Sequence, residues 1–485
     1  MTSAHAVDTD VLVVGAGPVG LMLAGELRRG GARTLVVDRR EGPTTESRAS
    51  TLHARTMEIL DSRGLLEALD DPPNETRGHF GGIPLDLTLP GPWPGQWKVP
   101  QTRTEELLGE WAAGLGADLR RRHELRAVRA GADAVEAVVA DPGGLPLRVR
   151  ARYAVGCDGE DSTLRRLTGA GFPGRAAVRE LLRADVAGID VPDRRFQRLP
   201  RGLAVAARRP DGVTRIMVHE FGAVAGDRGG EVDFTEVAHA WKRVTGEDVS
   251  AGTPLWVNSF GDAHAQLVRY REGRVLFAGD AAHRQMPIGG QALNLGLQDA
   301  VNLGWKLAAQ VRGRAPDGLL DTYHTERHAV GRRVLGNIRA QALLLLGGPG
   351  TEPLRALLHE LIRDRPEVRA HLAGMISGLD IRHGGHLRLP HTAVLTPDGA
   401  TSTTALLRTG GRGLLLDLAD DPRLRATAAP WADRVVTATV RPAGPHGPLG
   451  DAGAVLVRPD GYVAWTGDAA AEAGDALRAW FGAAR

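Results

Sequence analysis

The 485-residue sequence predicts an α/β fold in three parts, each indicated by its own pattern. Near the start, a short apolar strand runs through a glycine-rich turn into a helix-like segment. In the middle, alternating apolar and polar residues flank Asp211-Gly212, which indicates a β-hairpin in a mainly β-sheet domain. From about residue 385, the strands GLLLDL, RVVTATV and AVLVRPDGYVAW are separated by alanine-rich helices, which indicates a small C-terminal α/β domain.

The composition is that of a chain that can build more than one hydrophobic core. It is 42% hydrophobic, and its net charge of +2 with a pI near 8.9 argues against a nucleic-acid-binding surface. The only cysteine, Cys157, excludes an intramolecular disulfide and is typical of a reducing cytoplasm. The sequence has no Cys/His cluster at metal-ligand spacing, so we expect no metal site.

One long apolar segment, residues 11–27, resembles a targeting segment at first sight. Asp8 and Asp10 precede it, whereas a signal peptide has a basic leader. Glycines and a proline interrupt it where a strand would turn into a helix. No other stretch is long enough to span a bilayer, so we expect a cytoplasmic protein without a membrane partner.

The glycine-rich turn is GAGPVG, residues 15–20, between an apolar strand at residues 10–14 and a helix at residues 21–28. In a Rossmann-like unit, the first glycine makes the turn, the second lets the backbone approach a pyrophosphate, and the third lets the helix pack on the strand. A second strand ends at Asp38, 18 residues beyond Gly20, where an acid would hold a ribose diol. The pattern predicts adenine-dinucleotide binding, and a purely structural turn is the alternative.

Two later segments favour FAD over NAD as the dinucleotide. The two arginines after Asp38 would suit the 2′-phosphate of NADP. A nicotinamide dehydrogenase, however, would not need the two segments that follow. In GRVLFAGDAAH, residues 273–283, a buried strand at residues 275–278 ends in a turn that carries Asp280. In YAVGCDGEDSTLRR, residues 153–166, a strand ends at Asp158 and a helix follows.

These motifs resemble the single-component flavoprotein aromatic hydroxylases, the family of para-hydroxybenzoate hydroxylase and phenol hydroxylase. GAGPVG, CDGEDSTLR and GDAAH running into PIGGQALN occur in the family's order. The stretches ESRASTLHARTMEIL, VPQTRTEELL and GHFGGIPLDL most resemble angucyclinone and anthracycline-type polyketide hydroxylases of actinomycetes. The resemblance covers nearly the whole chain. It implies a Rossmann-like FAD-binding domain of the GR2 type, a β-sheet substrate domain and a thioredoxin-like C-terminal domain.

The resemblance also implies a cofactor role for each matching position. The residues expected near non-covalently bound FAD are Gly15, Gly17, Pro18, Val19 and Gly20 at the pyrophosphate, Asp38 and Arg39 at the adenosine, Arg48 at the phosphates and at the moving flavin, Gln101 at the ribityl chain, Leu125 at the adenine, Asp158 near FAD and NADPH, Asp280 at a ribityl or pyrophosphate-side hydroxyl, Pro287 at the flavin ring, and Gly290, Ala292, Leu293 and Asn294 at the pyrimidine edge. A helix that begins at this last segment would stabilise reduced flavin, which is anionic near N1 and O2.

The domain plan expected from the resemblance is discontinuous. We expect an FAD-binding domain at residues 1–75, 100–175 and 265–345, a substrate-binding domain at 76–99 and 176–264, a helical connection at 346–384, and the thioredoxin-like domain at 385–485. We expect residues 76–99, rich in Gly, Pro and Trp, to form an irregular flap. The C-terminal domain has no Cys-x-x-Cys and so no dithiol chemistry, which leaves a structural role or a homodimer interface.

The implied activity is hydroxylation of a polycyclic aromatic polyketide with NADPH or NADH and O2, through a flavin C4a-hydroperoxide. Two alternatives stay open: a Baeyer–Villiger-type oxygenase acting on a polyketide ketone, and an FAD-binding homologue without catalysis. A plain NAD-dependent dehydrogenase would lack bound flavin and would be colourless.

The catalytic base stays unknown at this point. Phenol hydroxylase carries an aspartate where this chain has Ser50 and Thr51, so that acid is absent. His53, His79, His219 and Glu220 are candidates, and none is favoured.

Ala292 is the one departure from the motif of the flavin-facing turn, because the family usually has glycine there. If the backbone at this position needs a positive φ, alanine costs about 1 kcal/mol or more. If φ is negative, alanine fits and its methyl group lines the flavin edge. We expect the second case because Gly289, Gly290, Leu293 and Asn294 are intact.

Overall fold

The computed structural model of the chain describes residues 6–43, 50–225, 232–443, 449 and 452–484. Arg48 lies outside the described residues, so its expected place near the cofactor phosphates stays a prediction.

A large sheet forms the centre of the molecule, and its central strands are parallel. Its order is Arg271–Glu272, Val275–Phe277, Pro146–Gly156, Ala6–Val14, Thr34–Asp38 and Asp118–Arg121, with Val135–Ala140 antiparallel to Pro146–Gly156 and then paired with Glu124–Ala130. The central strands read as continuous apolar runs because helices cover both faces of a parallel sheet. The covering helices include Pro18–Arg29, Gln101–Gly114 and Gln291–Val311, which we call the Gln291 helix.

The register of this sheet brings distant parts of the chain to one edge. Val14 pairs with Gly156 and with Val37, and Gly156 pairs with Phe277. The turns that follow these strands therefore leave the sheet side by side, at the carboxyl ends where α/β folds bind ligands.

A five-stranded antiparallel sheet forms a second layer. Its order is Arg194–Leu199, Gly202–Arg208, Thr214–Glu220, Glu180–Ala187 and Thr253–Gly261. The hairpin predicted around Asp211-Gly212 is confirmed, and Gly212 has a φ of 82°. The helix Phe234–Thr245 covers one face of the sheet with the buried Trp241. The other face contributes to what we call the Ile288 cluster, the buried residues of which are Leu181, Leu203, Met286, Ile288, Ile338, Ala342, Leu345 and Leu346.

The expectation of an irregular flap at residues 76–99 is wrong. Arg77–Phe80 and Ile83–Asp86 form an antiparallel hairpin, and Gln96–Lys98 is a strand of a small sheet. Gly81 and Gly82 close the hairpin with φ values of 57° and 81°, the turn that twisted hairpins prefer. The segment GHFGGIPLDL carries this signal, a Gly-Gly pair between alternating residues, and the abundance of Gly and Pro concealed it.

The C-terminal part contains a mixed sheet in the order Val435–Thr439, Gly413–Asp417, Ala454–Val457 and Val463–Gly467. The helices Pro422–Ala428 and Ala470–Phe481 pack on it, as expected for a thioredoxin-like fold. The α/β fold class is confirmed, whereas the domain boundaries stay our proposal.

The remaining elements connect these layers. The helices are Ala54–Asp61, Thr163–Thr168, Asp321–Leu346 (the long helix), Glu352–Asp364, Pro366–Ser377 and Thr403–Leu406, with single 3-10 turns at Glu67–Leu69, Gly279–Ala281, Pro349–Thr351 and Ala429–Trp431. The short strands are Thr51–His53, Asn74–Glu75, Gly174–Arg175, His264–Gln266, His283–Arg284, Ala393–Thr396, Gly399–Ser402 and Arg441–Pro442.

A buried ion cluster joins the C-terminal part to the central domain. The guanidinium group of Arg458 lies 2.7 Å from the carboxylate of Glu326 on the long helix, and it also contacts Asp460. The ammonium group of Lys306, on the Gln291 helix, lies 2.7 Å from Glu326. The amide of Asn302 donates to Glu326 and Asp460. Burial of these charges is tolerable because each one has partners of opposite sign.

Candidate cofactor and active site

Three separate chain segments meet at the carboxyl edge of the large sheet. A Cβ added at Gly279 would lie 2.9 Å from Cγ2 of Val19, and one added at Gly296 would lie 2.6 Å from the same atom. The glycine-rich turn, the Gly279-Asp280 turn and the Gln291 helix are therefore in direct contact, and glycine is required where they touch.

The three glycines of GAGPVG have different surroundings. Gly15 has a φ of 104°, and a Cβ there would lie 2.4 Å from the carbonyl oxygen of Cys157. A Cβ at Gly20 would lie 1.9 Å from the carbonyl oxygen of Gly15. By contrast, a Cβ at Gly17 would have no atom of the described chain within 4 Å. Packing within the protein thus explains Gly15 and Gly20, whereas the open side of Gly17 leaves room for a ligand to approach the backbone.

Asp38 lies beside this turn, as its spacing predicts. Its carboxylate accepts the backbone N–H of Ala16 at 2.6 Å and that of Arg40 at 2.8 Å. Arg39 is exposed at the same strand end. The carboxylate is therefore fixed in orientation and keeps acceptor capacity for the hydroxyl groups of a ribose.

Asp158 lies next to Gly15 and precedes the helix Thr163–Thr168, which Ser162 caps. One of its carboxylate oxygens accepts the N–H of Leu164, and the other is buried with no hydrogen-bond partner among the described residues. Burial raises the pKa of this carboxyl group. A ligand hydroxyl would supply the missing donor, as expected of a residue at the cofactor.

Asp280 lies exposed in the 3-10 turn Gly279–Ala281, at the same edge of the sheet. A buried charge cluster that sequence reasoning missed positions this turn. The carboxylate of Asp299 accepts the N–H of Gly279 at 3.1 Å, His283 Nε2 at 2.8 Å and Arg327 Nε at 2.7 Å. Burial alone would raise the pKa of Asp299, and Arg327 and His283 hold it below the usual value.

The Gly289-Gly290 turn leads directly into the Gln291 helix. Both glycines have a positive φ, 66° and 67°, and Gly290 is the N-cap without a side-chain cap. Pro287 is exposed before the turn, and Leu293 is half-buried in the first turn of the helix. The first N–H groups of this helix therefore remain available to an acceptor.

Ala292 lies within this helix and is absent from the residues with positive φ, so the expected negative φ is confirmed. We predict that Ala292→Gly leaves FAD occupancy, measured from the flavin absorbance of the purified protein, nearly unchanged. The free energy of unfolding should fall by about 0.5–1 kcal/mol, because glycine loses more backbone entropy in a helix. A large gain in FAD affinity would contradict this and show that the methyl group obstructs the site.

The side-chain amide of Asn294 holds the Gly289-Gly290 turn in place. Its Oδ1 accepts the backbone N–H of His53 at 2.9 Å and the hydroxyl of Thr56 at 2.6 Å. Its Nδ2 donates to the carbonyl oxygens of Gly290 at 2.7 Å and Thr51 at 3.0 Å. All four hydrogen-bonding positions of the amide are used, so Asn294 fixes the backbone that would face the flavin.

His53 is a structural partner of the same turn, and its Nδ1 is buried with no hydrogen-bond partner among the described residues. Its Nε2 donates to the carbonyl oxygen of Gly289 at 2.8 Å. The side chain is 1% exposed, and burial lowers its pKa to about 4. The imidazole is thus neutral and has its proton committed to the turn.

We predict that the stability of the protein depends on pH through His53, and that His53→Gln makes this dependence weaker. Because the pKa falls from 6.5 in the unfolded chain to about 4 in the folded one, unfolding takes up a proton below pH 6.5. Stability is full above pH 6.5 and declines toward pH 4, by about 3 kcal/mol for this group alone. Glutamine keeps an amide donor for Gly289 but does not titrate. Urea unfolding at several pH values should show a flatter dependence in His53→Gln, and equal slopes for both proteins would refute the assignment.

Two of the other candidate bases, His219 and Glu220, are also engaged. His219 faces two backbone carbonyl oxygens, Nδ1 at 2.8 Å from Glu180 and Nε2 at 3.1 Å from Leu346. Glu220 accepts from Arg243 at 2.8 Å. Gln101, at the start of its helix, donates to Glu105, and Leu125 is buried in its strand.

These residues fit an adenine dinucleotide such as FAD. The helices that begin at Pro18 and Gln291 both lack a side-chain cap. The first presents free N–H groups near the open side of Gly17, and the second presents them at the Gly289-Gly290 turn. The buried oxygen of Asp158 also lacks a donor among the described residues.

No helix among the residues that the structure describes combines the length and apolar composition needed to cross a membrane. No group of three or more His, Cys, Asp and Glu side chains among these residues is arranged to hold a metal ion.

Comparisons with known proteins agree with this geometry. Residues 8–337 match the FAD binding domain family, and residues 384–484 match the aromatic-ring hydroxylase C-terminal family. The chain is 43% identical to 12-dehydrotetracycline 5-monooxygenase/anhydrotetracycline 6-monooxygenase of Streptomyces rimosus, over 98% of this chain and 99% of that protein.

Two further relatives show the range of the family. CabE, an aromatic hydroxylase from angucycline biosynthesis, has a solved structure that matches with a TM-score of 0.92, 51% identity and coverage of 99% of this chain and 100% of CabE. Dialkyldecalin synthase of Streptomyces rugosporus is 40% identical over 98% of this chain and 99% of that enzyme.

Proposed function

Because the chain belongs to the FAD-dependent aromatic-ring hydroxylases, we propose that it hydroxylates a polycyclic aromatic polyketide, with NADPH or NADH as electron donor and O2 as oxidant. The observation that carries the proposal is the contact between the glycine-rich turn, the Gly279-Asp280 turn and the Gln291 helix. This arrangement supports a dinucleotide site, and its expected flavin end, the Gly289-Gly290 turn, directly follows Ile288 of the apolar Ile288 cluster.

The bound FAD would accept electrons from NAD(P)H and activate O2, and this chemistry belongs to the cofactor. The protein would stabilise the negative charge of the reduced cofactor and exclude water from the site. The N–H groups at the start of the Gln291 helix favour electron density at the facing edge of the cofactor. His53 and Asn294 hold the Gly289-Gly290 turn in place, so these donors are oriented before the reaction.

The Ile288 cluster is buried and packed, and we propose that a ring system binds on the apolar side of the Gly289-Gly290 turn that this cluster supports. The cluster joins the turn at Met286 and Ile288 to the five-stranded sheet at Leu181 and Leu203. An open cleft of about 420 Å³ adjoins the cluster at Leu346 and is also lined by His219 and Phe221.

The test uses the purified protein, which should be yellow. We expect aromatic polyketides of the angucyclinone and anthracyclinone type to stimulate the oxidation of NADPH or NADH and to gain one oxygen atom. Carbon connectivity by NMR separates ring hydroxylation from Baeyer–Villiger insertion, because both add the same mass. If no member of the panel stimulates oxidation or yields an oxygenated product, the hydroxylase proposal is wrong. In that case a function without oxygenation, as the name of the related synthase suggests, is favoured.

A further inference from the structure

The hairpin of residues 77–86 presents two different faces. Phe80, Ile83 and Leu85 alternate onto one face and pack with residues of the helices Glu352–Asp364 and Pro366–Ser377. His79 lies on the opposite face, where its ring lies 4.2 Å from the ring of Phe196. The hairpin is therefore anchored by one face and offers His79 on the other.

Phe196 directs this face toward the Ile288 cluster. It has a φ of 49°, which is rare for a bulky side chain, and it lies at a break in the register between Arg194 and Gln197. Its ring packs against the Ile288 cluster, which contains the two neighbours of Pro287. Backbone strain of this kind is retained where it aims a side chain at a site. His79 therefore lies on the side of the hairpin that faces the proposed substrate surface.

The hydrogen bonds of His79 make it a donor and not a base. Its Nδ1 accepts the backbone N–H of Gly82 at 3.2 Å, so the proton of the neutral ring resides on Nε2. Burial lowers the pKa of His79 to about 4, and the charges of Arg195 and Lys98 add to this effect. Nε2 has no hydrogen-bond partner among the described residues. It is not fully buried, so a ligand can reach it.

Lys98 links His79 to the flavin-facing turn. Its ammonium group lies 3.4 Å from the hydroxyl of Thr51, and Cβ of Thr51 lies 3.0 Å from the position that a Cβ of Gly290 would take. The strand that carries Lys98 also contacts the hairpin, because the side-chain amide of Gln96 donates to the carbonyl oxygen of Arg77 at 3.2 Å. Lys98 and Arg195 supply cations near His79, and Glu75, paired with Arg195, is the acid beside them.

We propose that His79 is a substrate-binding donor: its Nε2–H hydrogen-bonds to a ring oxygen of the aromatic substrate, and Lys98 favours the phenolate form of that oxygen. The inference rests on the proposed function and adds to it the chemistry by which the substrate is recognised. An acceptor oxygen on the ring system is needed, and a polycycle without it binds less well.

The experiment compares two substitutions of His79 in the FAD-loaded protein. His79→Asn places an amide oxygen where Nδ1 accepts from Gly82 but offers no donor at the Nε2 position. His79→Gln places an amide N–H near the Nε2 position. Substrate affinity is measured from the perturbation of the flavin absorbance, for a hydroxylated polycycle and for its analogue without the ring oxygen. Thermal unfolding and FAD occupancy check that both variants are folded.

We expect His79→Asn to weaken binding of the oxygenated substrate about tenfold or more, as for loss of a bond to a charged acceptor, while the analogue is unaffected. His79→Gln should keep most of the affinity. The inference is overturned if His79→Asn binds both ligands as the original protein does, or if it weakens both equally, which indicates a structural role. A wild-type protein that neither binds nor oxidises any member of the panel contradicts the proposed function instead.

Discussion

Gly17→Ala should give a folded protein that binds FAD much more weakly. The added methyl group meets no atom of the described chain within 4 Å, so the apoprotein has no reason to lose stability. A bound pyrophosphate would occupy that space, because the second glycine of the motif is where the cofactor approaches the backbone. We expect the dissociation constant of FAD to rise roughly 100-fold, about 2.8 kcal/mol, measured by flavin fluorescence on titration of the apoprotein.

The matched control is Gly336→Ala on the long helix, where an added Cβ also meets nothing within 4 Å. It should leave FAD affinity unchanged and raise the free energy of unfolding slightly, because alanine is the better helix former. If Gly17→Ala binds FAD as well as the control does, the turn is only structural and the cofactor site is not where we place it.

The second large effect is expected from Arg458→Met, which removes the central cation of the buried ion cluster. Glu326 and Asp460 would then remain buried, with the ammonium group of Lys306 2.7 Å from Glu326. Leaving a buried charge without its partner costs about 3–5 kcal/mol, and we expect a loss of this size in the free energy of unfolding from urea titrations.

An exposed ion pair serves as the control for this substitution. Arg129 and Glu136 lie 2.9 Å apart with side chains 82% and 57% exposed. Arg129→Ala should change the free energy of unfolding by less than about 1 kcal/mol, because water screens such pairs. Losses of equal size in the two variants would show that the buried cluster does not hold the C-terminal part in place.

The parts of the site that were predictable from the sequence are those with local rules. The positions of Gly15, Gly17 and Asp38 at one turn could be inferred from the strand, the glycine-rich turn and the spacing to Asp38. The structure places these residues side by side. The negative φ of Ala292 could be inferred because its neighbours in the motif were unchanged. Each of these inferences needs only backbone geometry within a short stretch of chain.

Side-chain partners far apart in sequence were not predictable. Asn294 and His53 are 241 residues apart. No sequence periodicity indicates that the amide of Asn294 would bond both to the backbone of His53 and to that of Gly290. The same holds for Asp299 with His283 and Arg327, although an acid inside an apolar helix pattern was a usable signal. His53 was a candidate base by residue type alone, and its bond to Gly289 and its burial show a structural role in the turn that the sequence did not indicate.

The pairing of Val14 with Gly156, and of Gly156 with Phe277, has a consequence for how the protein matures. Contacts between residues so distant in the chain close slowly during folding, because a long loop must be ordered before they form. The edge that would bind the dinucleotide is therefore incomplete until the strand Val275–Phe277 has been synthesised. Loading of the cofactor waits for this strand, and flavin fluorescence in a cell-free translation reaction would report the moment at which the edge is complete.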